Sequence, residues 1–462
     1  MDLARRLAEY AHSLRYEDLP AEVVHEAKRR FIDSLAVAVG AMDAEACAIA
    51  KRCALREPSI YPATILGGGR TSPQWATFVN GLLIRYLDFN DTYLSLEPAH
   101  PSDNLSAILA AGEWAGASGR QVITATVLAY EVQCRLCDAA SLRRHGIDHV
   151  TYGAFSSCLA ACSLLRLDVP KTVHALGIAG VSNVALRQTR SGELSMWKGC
   201  AFANAARNGL FAATLAAEGM TGPAPIFEGE LGFMKLITGP FTVAPMGGEL
   251  RKSADPQDFM IVHTSIKAWP AEYHAQSAIE AAFRLRARIG DLARLQRVDV
   301  YTFDAAADII GKDPEKWRPR TRETADHSLP YCTAVALREG QVWLSSFDEI
   351  HLQDPELLDL VAKVQVRRDA TLTARYPQGI PNRVVLTMSD GTTLTEVVEF
   401  PRGHARNPLT DAELEEKFRK LVTPRYGAAR TEELLQSLWR LDKVEDVGKV
   451  VRLFDLPESE WP

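Results

Sequence analysis

The feature that most constrains the fold is a change of texture that happens twice along the chain. Up to about residue 262, Ala and Leu dominate at helical spacing. PAEVVHEAKRRFIDSLAVAVGA and RQVITATVLAYEVQCRLCDAA repeat apolar residues three and four apart, which gathers them on one helix face. ANAARNGLFAATLAAEG is Ala-rich and ends at Gly219, a residue suited to the left-handed turn that closes a helix. Beyond residue 262 the texture turns to Val and Thr. RVDVYTF, LVAKVQVRRD, RVVLTM and TLTEVVEF have strand composition, and Asp390-Gly391 between the last two marks a hairpin. KAWPAEYHAQSAIEAAFRLRARIG, ending at Gly290, reads as a helix within that region. From Pro408 the helical pattern returns, with Thr410 and Glu413 spaced as a capping box. The expected fold is mostly α: a large all-helical domain from residues 1–262 and 403–462, with a smaller α+β lid domain, 263–402, inserted.

Composition narrows the function classes. At 462 residues the chain is long for one core, which suits two domains. Its 47% apolar and 24% charged residues are those of a soluble globular protein. A net charge of −6 argues against a nucleic-acid partner, which needs a basic face, but leaves room for local cations that hold a small anion. No apolar run has the length of a membrane span, and MDLARRLAEYAHSL reads as an amphipathic helix rather than a cleavable signal. The cysteines are scattered, so a disulfide framework is not expected and a reducing cytoplasm is. Cys134 and Cys137 form CRLC, but Cys47, Cys53, Cys158, Cys162, Cys200 and Cys332 are singles or helical pairs, too few and too dispersed for an iron–sulfur cluster. LGGGRT lacks the GK[ST] of a phosphate loop, and neither G-x-S-x-G nor H-E-x-x-H occurs.

Four segments carry more chemistry than packing needs. DFNDTYLSLEPAHPSDNL follows the apolar GLLIRYL and contains Asp88, Asp91, Thr92, Glu97, His100 and Asp103. If the GLLIRYL helix continues, Asp88, Asp91 and Thr92 share one face, and His100-Pro101 starts a turn or a new helix. LRQTRSGELSMWKG brings Arg187, Arg190 and Lys198 together, with Trp197 able to shield Lys198. KAWPAEYHAQ sets Lys267, Tyr273 and His274 around Pro270, a residue suited to a first helical turn whose free N–H groups face an anion. RPRTRETADHSLPYCTA alternates Arg318, Arg320 and Arg322 with Glu323, Asp326 and His327 before Tyr331. Taken as residue types alone, these segments equally fit capped helices and loops with solvated charges. His12, His25, His174, His263, His351 and His404 read as surface or packing residues.

The same segments resemble those of the MmgE/PrpD family, closest to its 2-methylcitrate dehydratase subgroup. The likeness runs through DFNDTYLSLEPAHPSDNL, GIDHV around His149, LRQTR, LSMWKG, PAEYHAQ, RETADHSLPY and GHARNPLTDAELEEKF, nearly the whole chain. It implies a helical domain made from both ends of the chain, an α+β lid, and a site in the cleft between them. It implies a small tricarboxylate substrate, no metal or other cofactor, and a homodimer. Asp88, Thr92, His100, His149, Lys198 and Tyr331 match the family's catalytic positions; Asp91, Arg187, Arg190, Lys267, Tyr273, His274 and Arg322 are the substrate-binding candidates. Where the decarboxylase subgroup carries His, this chain has Gln276, which favours dehydration.

The implied reaction removes water from 2-methylcitrate, and more weakly from citrate, to give the cis-aconitate product. A base must take a C–H proton beside a carboxylate while an acid protonates the leaving hydroxyl. Lys198 and Lys267, with the neighbouring arginines, are the expected stabilisers of the developing charge. His100 or His149 is the expected proton carrier, Asp88 fixes a tautomer or itself carries a proton, and Thr92 and Tyr331 are hydrogen-bond partners. An epimerase or a decarboxylase of the same family, or a silent polycarboxylate-binding protein, remains an alternative at this point.

Overall fold

Helices fill the first half of the chain because apolar residues recur on one face and polar caps close their ends. The computed structural model describes residues 2–250 and 255–461. Asp2 caps Leu3–Ser13, Ser72 caps Pro73–Tyr86, and Ser118 with Gln121 forms a capping box on Gly119–Ala139. Thr151–Leu164 packs on Trp197–Ala217, which packs in turn on Pro73–Tyr86. A Cβ on Gly209 would lie 2.7 Å from the Ala154 carbonyl oxygen, so only glycine allows the first two to approach this closely. Gly219 adopts φ 98° just past Trp197–Ala217, the closing turn expected of it.

One apolar core runs from Leu3 to Ile266 and resumes from Leu409 to Leu456. The C-terminal helix Asp411–Trp439 starts on the Thr410–Glu413 capping box and packs along Ala21–Gly40. It bends at Gly427, φ 71°, three residues after Pro424. A short antiparallel ladder, β1 (Ala63–Thr64) with β2 (Arg70–Thr71), interrupts this otherwise helical part. Among the described residues no helix is long and apolar enough to cross a membrane.

A second apolar core runs from Ala271 to Val398. It lies on a four-stranded sheet of β3 (Leu295–Thr302), β4 (Val364–Arg368), β5 (Asn382–Met388) and β6 (Thr393–Val398), in the order β4-β3-β5-β6. β3 pairs parallel with β4 and antiparallel with β5, so Val300 faces Val366 on one side and Val384 on the other. β5 and β6 form the expected hairpin, turning at Gly391 with φ 83°. β5 alternates buried and half-buried residues, and the helices Gln276–Arg286 and Leu329–Glu339 pack against this sheet and each other. The fold is thus mostly α, with an α+β unit inserted into a helical body.

Four local expectations fail for physical reasons. The GLLIRYL helix stops at Tyr86 and Asp88 takes φ 51°, so Asp88, Asp91 and Thr92 do not share a helix face. The helix after Lys267 begins only with the 3₁₀ turn Tyr273–Ala275, because Glu272 caps it through the His274 N–H; Pro270 lies outside. It ends at Arg286, short of Gly290. Between Met220 and Glu272 the described residues contain no α-helix, only irregular chain with single turns.

Candidate active site

Where the two cores meet lies a cavity of about 610 Å³, within the usual range for small-molecule sites. Its helical wall comes from the end of Pro73–Tyr86, the loop to His100, the start of Thr151–Leu164, the Arg187–Arg190 turn and the start of Trp197–Ala217. Its other wall comes from Glu272–His274, residues 308–316 and His327. Asp88, Thr92, His100, His149, Lys198, Arg187, Arg190, Lys267, Tyr273 and His274 all line it.

Asp88 is the electrostatic centre. Its left-handed backbone is one that Asp tolerates better than most residues, and it turns the carboxylate away from the helix that precedes it. Arg85 pairs with Oδ1, and Lys267 Nζ lies 3.0 Å from the same oxygen while donating to the Asp88 carbonyl at 2.7 Å. Lys198 Nζ lies 3.8 Å from Asp88 Oδ2 and 3.9 Å from Asp326 Oδ1. Although burial opposes ionisation, Arg85, Lys198 and Lys267 hold the Asp88 carboxyl well below the usual carboxylate range. Lys417, from the C-terminal helix, donates to the carbonyls of Phe89 and Lys267 at 2.9 Å each and so ties the two loops together under the site.

Lys198 differs from its neighbours. Its ammonium is buried, yet no acceptor lies within hydrogen-bond distance. Burial lowers its pKa to about 8, against the pull of Asp326 and Asp88. Trp197 does not shield it; that ring is half-exposed and leans on Phe78. A buried ammonium flanked by two carboxylates but making no hydrogen bond has its donors open, and here that points to an acceptor supplied by a ligand.

Four imidazoles line the cavity. His100 has both nitrogens engaged: Nδ1 lies 2.7 Å from the Asp91 carbonyl, and Arg85 donates to Nε2 at 3.1 Å. Thr92 Oγ1 lies 3.2 Å from the same Nδ1. His149 lies beside His100, ring centres 5.9 Å apart, with Nδ1 3.0 Å from Asp148 Oδ1 but misaligned for a hydrogen bond. Asp148 is itself held by Arg190 at 2.9 Å. His327 donates from Nδ1 to Asp326 at 2.5 Å, and its Nε2 lies 3.6 Å from Asp88 Oδ2. His274 Nδ1 meets Glu272 at 2.7 Å. Burial lowers the pKa of His100, His149 and His327 below the usual histidine range, which leaves these rings neutral at neutral pH.

Three candidates lie outside the cavity. The Tyr331 hydroxyl donates to the Ser346 carbonyl at 2.8 Å deep in the second core. Asp91 is consumed by Ser102 and by the Tyr130 hydroxyl at 2.6 Å, which fix the loop around His100. Arg322 donates to the Leu344 carbonyl and stacks on Phe347. Gln276 is likewise turned away, its amide bonded to the Trp269 and Ala271 carbonyls. Arg85, Glu272, Asp326 and His327 are the site residues missing from the sequence-based set. An arginine in the last turn of an apolar helix, three residues before Asp88, was the available signal for Arg85; for His327 it was the Asp-His pair in RETADHSLPY.

Among the described residues one group could gather a metal: Asp88, Asp326 and His327, with donor atoms within 4.8 Å of one another. Arg85, Lys198 and Lys267 already surround these carboxylates, so the chain's own cations fill the electrostatic role a metal ion would take. No cysteine lines the cavity. A second hollow of about 580 Å³ shares Thr92, Leu94 and Tyr273, but its Arg29 and Arg30 are paired with Glu26.

Known proteins are similar to this chain over most of its length. The models of the MmgE/PrpD N-terminal and C-terminal domains match residues 5–246 and 269–441. The 2-methylcitrate dehydratase of Escherichia coli K12 is 30% identical over 440 residues, covering 87% of this chain and 86% of that protein. The 2-methylcitrate dehydratase of Cupriavidus necator is 29% identical over 459 residues, covering 91% and 90%. An alkylcitrate dehydratase from a fungal species is 29% identical over 452 residues, covering 90% and 86%. Matched by both family models and by dehydratases over most of its length, the chain belongs to the MmgE/PrpD family and is a dehydratase-like enzyme.

Proposed function

We propose that the enzyme removes water from 2-methylcitrate to give 2-methyl-cis-aconitate, acts more weakly on citrate, and needs neither metal nor iron–sulfur cluster. The observation that carries this reading is the unpartnered Lys198 ammonium, buried beside Arg85 and Lys267 and sharing a cavity with neutral imidazoles. The C–H to be broken, the methine that bears the methyl group in 2-methylcitrate and a methylene in citrate, is a weak acid, and its loss pushes charge onto the adjacent carboxylate. Fixed cations in a dry site stabilise that charge. Lys198 has donors free for the carboxylate, whereas Lys267 is held by Asp88. Arg187 and Arg190, on the same wall, suit a second carboxylate of the substrate.

A neutral imidazole takes the C–H proton, the C–H electrons become the new double bond, and the C–O bond breaks. The departing hydroxide takes a proton from Lys198, which at a pKa of about 8 is charged at neutral pH yet able to release it. Decarboxylation is the weaker reading, because the Gln276 amide is committed to the 269–271 turn and faces no substrate.

The test is direct. The protein, dialysed against a chelator in air, is given 2-methylcitrate or citrate, and the ultraviolet absorbance of the conjugated product acid is followed. Absorbance should rise, faster with 2-methylcitrate. A flat trace with both substrates, as an epimerase or a binding protein would give, or activity that returns only with added metal, overturns the proposal. We also propose a homodimer. Its support is the exposed apolar residues Val181, Val184, Leu186 and Trp197, which flank the cavity residues Arg187 and Lys198 in sequence. Light scattering at micromolar concentration should give twice the chain mass of 50.8 kDa. A monomer mass would end that reading.

A further inference from the structure

We propose that His327, held by Asp326, is the base that takes the substrate's C–H proton. The inference rests on the dehydratase reading above and assigns a residue that the sequence motifs did not single out. The proton to be removed sits one carbon from the carboxylate. The base must therefore stand beside the cations that hold that carboxylate. Among the four cavity imidazoles, His327 is the one with a ring nitrogen in ion-pair range of the Asp88 carboxylate itself: its Nε2 lies 3.6 Å from Asp88 Oδ2, and Lys198 Nζ lies 3.8 Å from the same oxygen.

The other three are poorly placed. His100 Nε2 already accepts from the Arg85 guanidinium, which does not give up its charge, so the lone pair a base needs is occupied. His149 has both ring nitrogens without a hydrogen-bond partner, but its carboxylate neighbour Asp148 is not aligned to fix its tautomer and is held by Arg190. His274 has a free Nε2 as well, but Glu272 accepts both its backbone N–H and its ring Nδ1 to cap the turn. Its ring packs against the stacked pair Phe303 and Tyr376, without the Asp88 carboxylate contact that His327 makes. In His327 the short bond to Asp326 places the proton on Nδ1 and leaves Nε2 as the free lone pair. Asp326 also stabilises the imidazolium once it forms.

The cycle closes without an outside reagent. His327 Nε2 gains the C–H proton, and Lys198 loses one to the departing hydroxide, so one molecule of water leaves. Asp88 Oδ2 has no hydrogen-bond partner and lies between His327 Nε2 and Lys198 Nζ. The proton returns from the imidazolium to the lysine amine along that oxygen. Both groups are then reset.

The experiment compares the wild type with His327→Gln, Asp326→Asn and His149→Gln on 2-methylcitrate and on an analogue in which fluoride replaces the hydroxyl. Fluoride leaves without an acid, whereas the base is needed for both. His327→Gln should lower kcat on the order of 10²–10⁴-fold on both compounds with KM little changed. Asp326→Asn, close to isosteric, should lower kcat about tenfold or more on both, which keeps the test alive should the Gln variant fail to fold. A His327→Gln enzyme that keeps its rate, that fails only on the hydroxyl compound, or that is outdone by His149→Gln overturns the assignment while leaving the dehydratase reading intact. A wild type inert on 2-methylcitrate overturns that reading and the assignment with it.

Discussion

The two walls of the cavity bring different chemistry. The helical wall brings the cations Arg85, Lys198, Arg187 and Arg190, beside the imidazoles of His100 and His149, with Lys267 at the crossing between the two cores; Lys312 and Lys316 line the other wall. The α+β wall brings imidazoles tied to carboxylates, His327 to Asp326 and His274 to Glu272. They are stitched by the Glu272 N–H, which donates to the Asp326 carbonyl at 2.8 Å. A wall of cations alone would bind a polycarboxylate and leave it unchanged. A wall of imidazole–carboxylate pairs alone would have little attraction for it. Dehydration needs both, which is why the site lies at the junction of two cores rather than inside either.

The largest expected effect comes from breaking the cationic side. Lys198→Ala removes the ammonium that faces the substrate and the acid that protonates its hydroxyl. Turnover should fall on the order of 10²–10⁴-fold, with kcat carrying most of the loss. Steady-state kinetics on 2-methylcitrate decide it. If only KM rises, Lys198 merely holds substrate, and the division between walls is drawn wrongly.

The pH profile sharpens the same division, because each wall sets one limb. Lys198 works as the cation; it faces Asp88, Asp326, Arg85 and Arg190, and burial lowers it to about 8. As pH rises through about 8 the ammonium is lost, so kcat/KM should fall about tenfold per unit above that point. His327 works as the neutral base, and burial and Lys198 lower its pKa despite Asp326 and Asp88. On acidification it stays neutral until below the ordinary histidine range, so activity should persist under pH ~6.5. An acid limb at the ordinary histidine value would mean that a more solvated imidazole carries the proton.

The walls also differ in how far the sequence revealed them. Local chemistry was legible: the Thr410–Glu413 capping box, the Gly391 hairpin and the Gly219 helix end all depend on a few adjacent residues. So was the alternation of textures that separates the helical body from the sheet. Lys198 and Asp88 entered the candidate set through the motif resemblance, since their residue types alone fit solvated loops equally well, and both line the cavity. The course of the chain after Tyr86 was not legible: the left-handed turn at Asp88 is held by Lys267, some 180 residues on, and nothing local announces it. His327 was left out of the set for a related reason. The Asp-His pair in RETADHSLPY was visible, but a partner one residue away carries no periodic signal, and it is the distant Asp88 that distinguishes His327 from an ordinary loop histidine. Asp91 erred in the opposite direction: a buried acid in the richest segment, it is used up in bracing the loop.

Among the site candidates the smallest expected effect belongs to Tyr331, which the motif match placed among the catalytic residues and the fold places in the second core. Its side chain is fully buried, its hydroxyl donates to the Ser346 carbonyl, and it is not among the residues that line the cavity. Tyr331→Phe keeps the ring packed against Phe347 and removes that single hydrogen bond. The Ser346 carbonyl loses this partner, so stability should drop by roughly 1–3 kcal/mol. That loss appears as a lowered Tm or denaturation midpoint, while kcat and KM at moderate temperature stay near wild type. His351→Ala is the control for a change that should do still less, since its ring lies near the surface and pairs with Asp348 and Glu339. A Tyr331→Phe enzyme with native stability but a large fall in kcat would require the hydroxyl to leave Ser346 and enter the cavity during turnover. In that case the α+β wall moves in the catalytic cycle, and the two walls do not keep the fixed positions from which the assignments of Lys198 and His327 are argued.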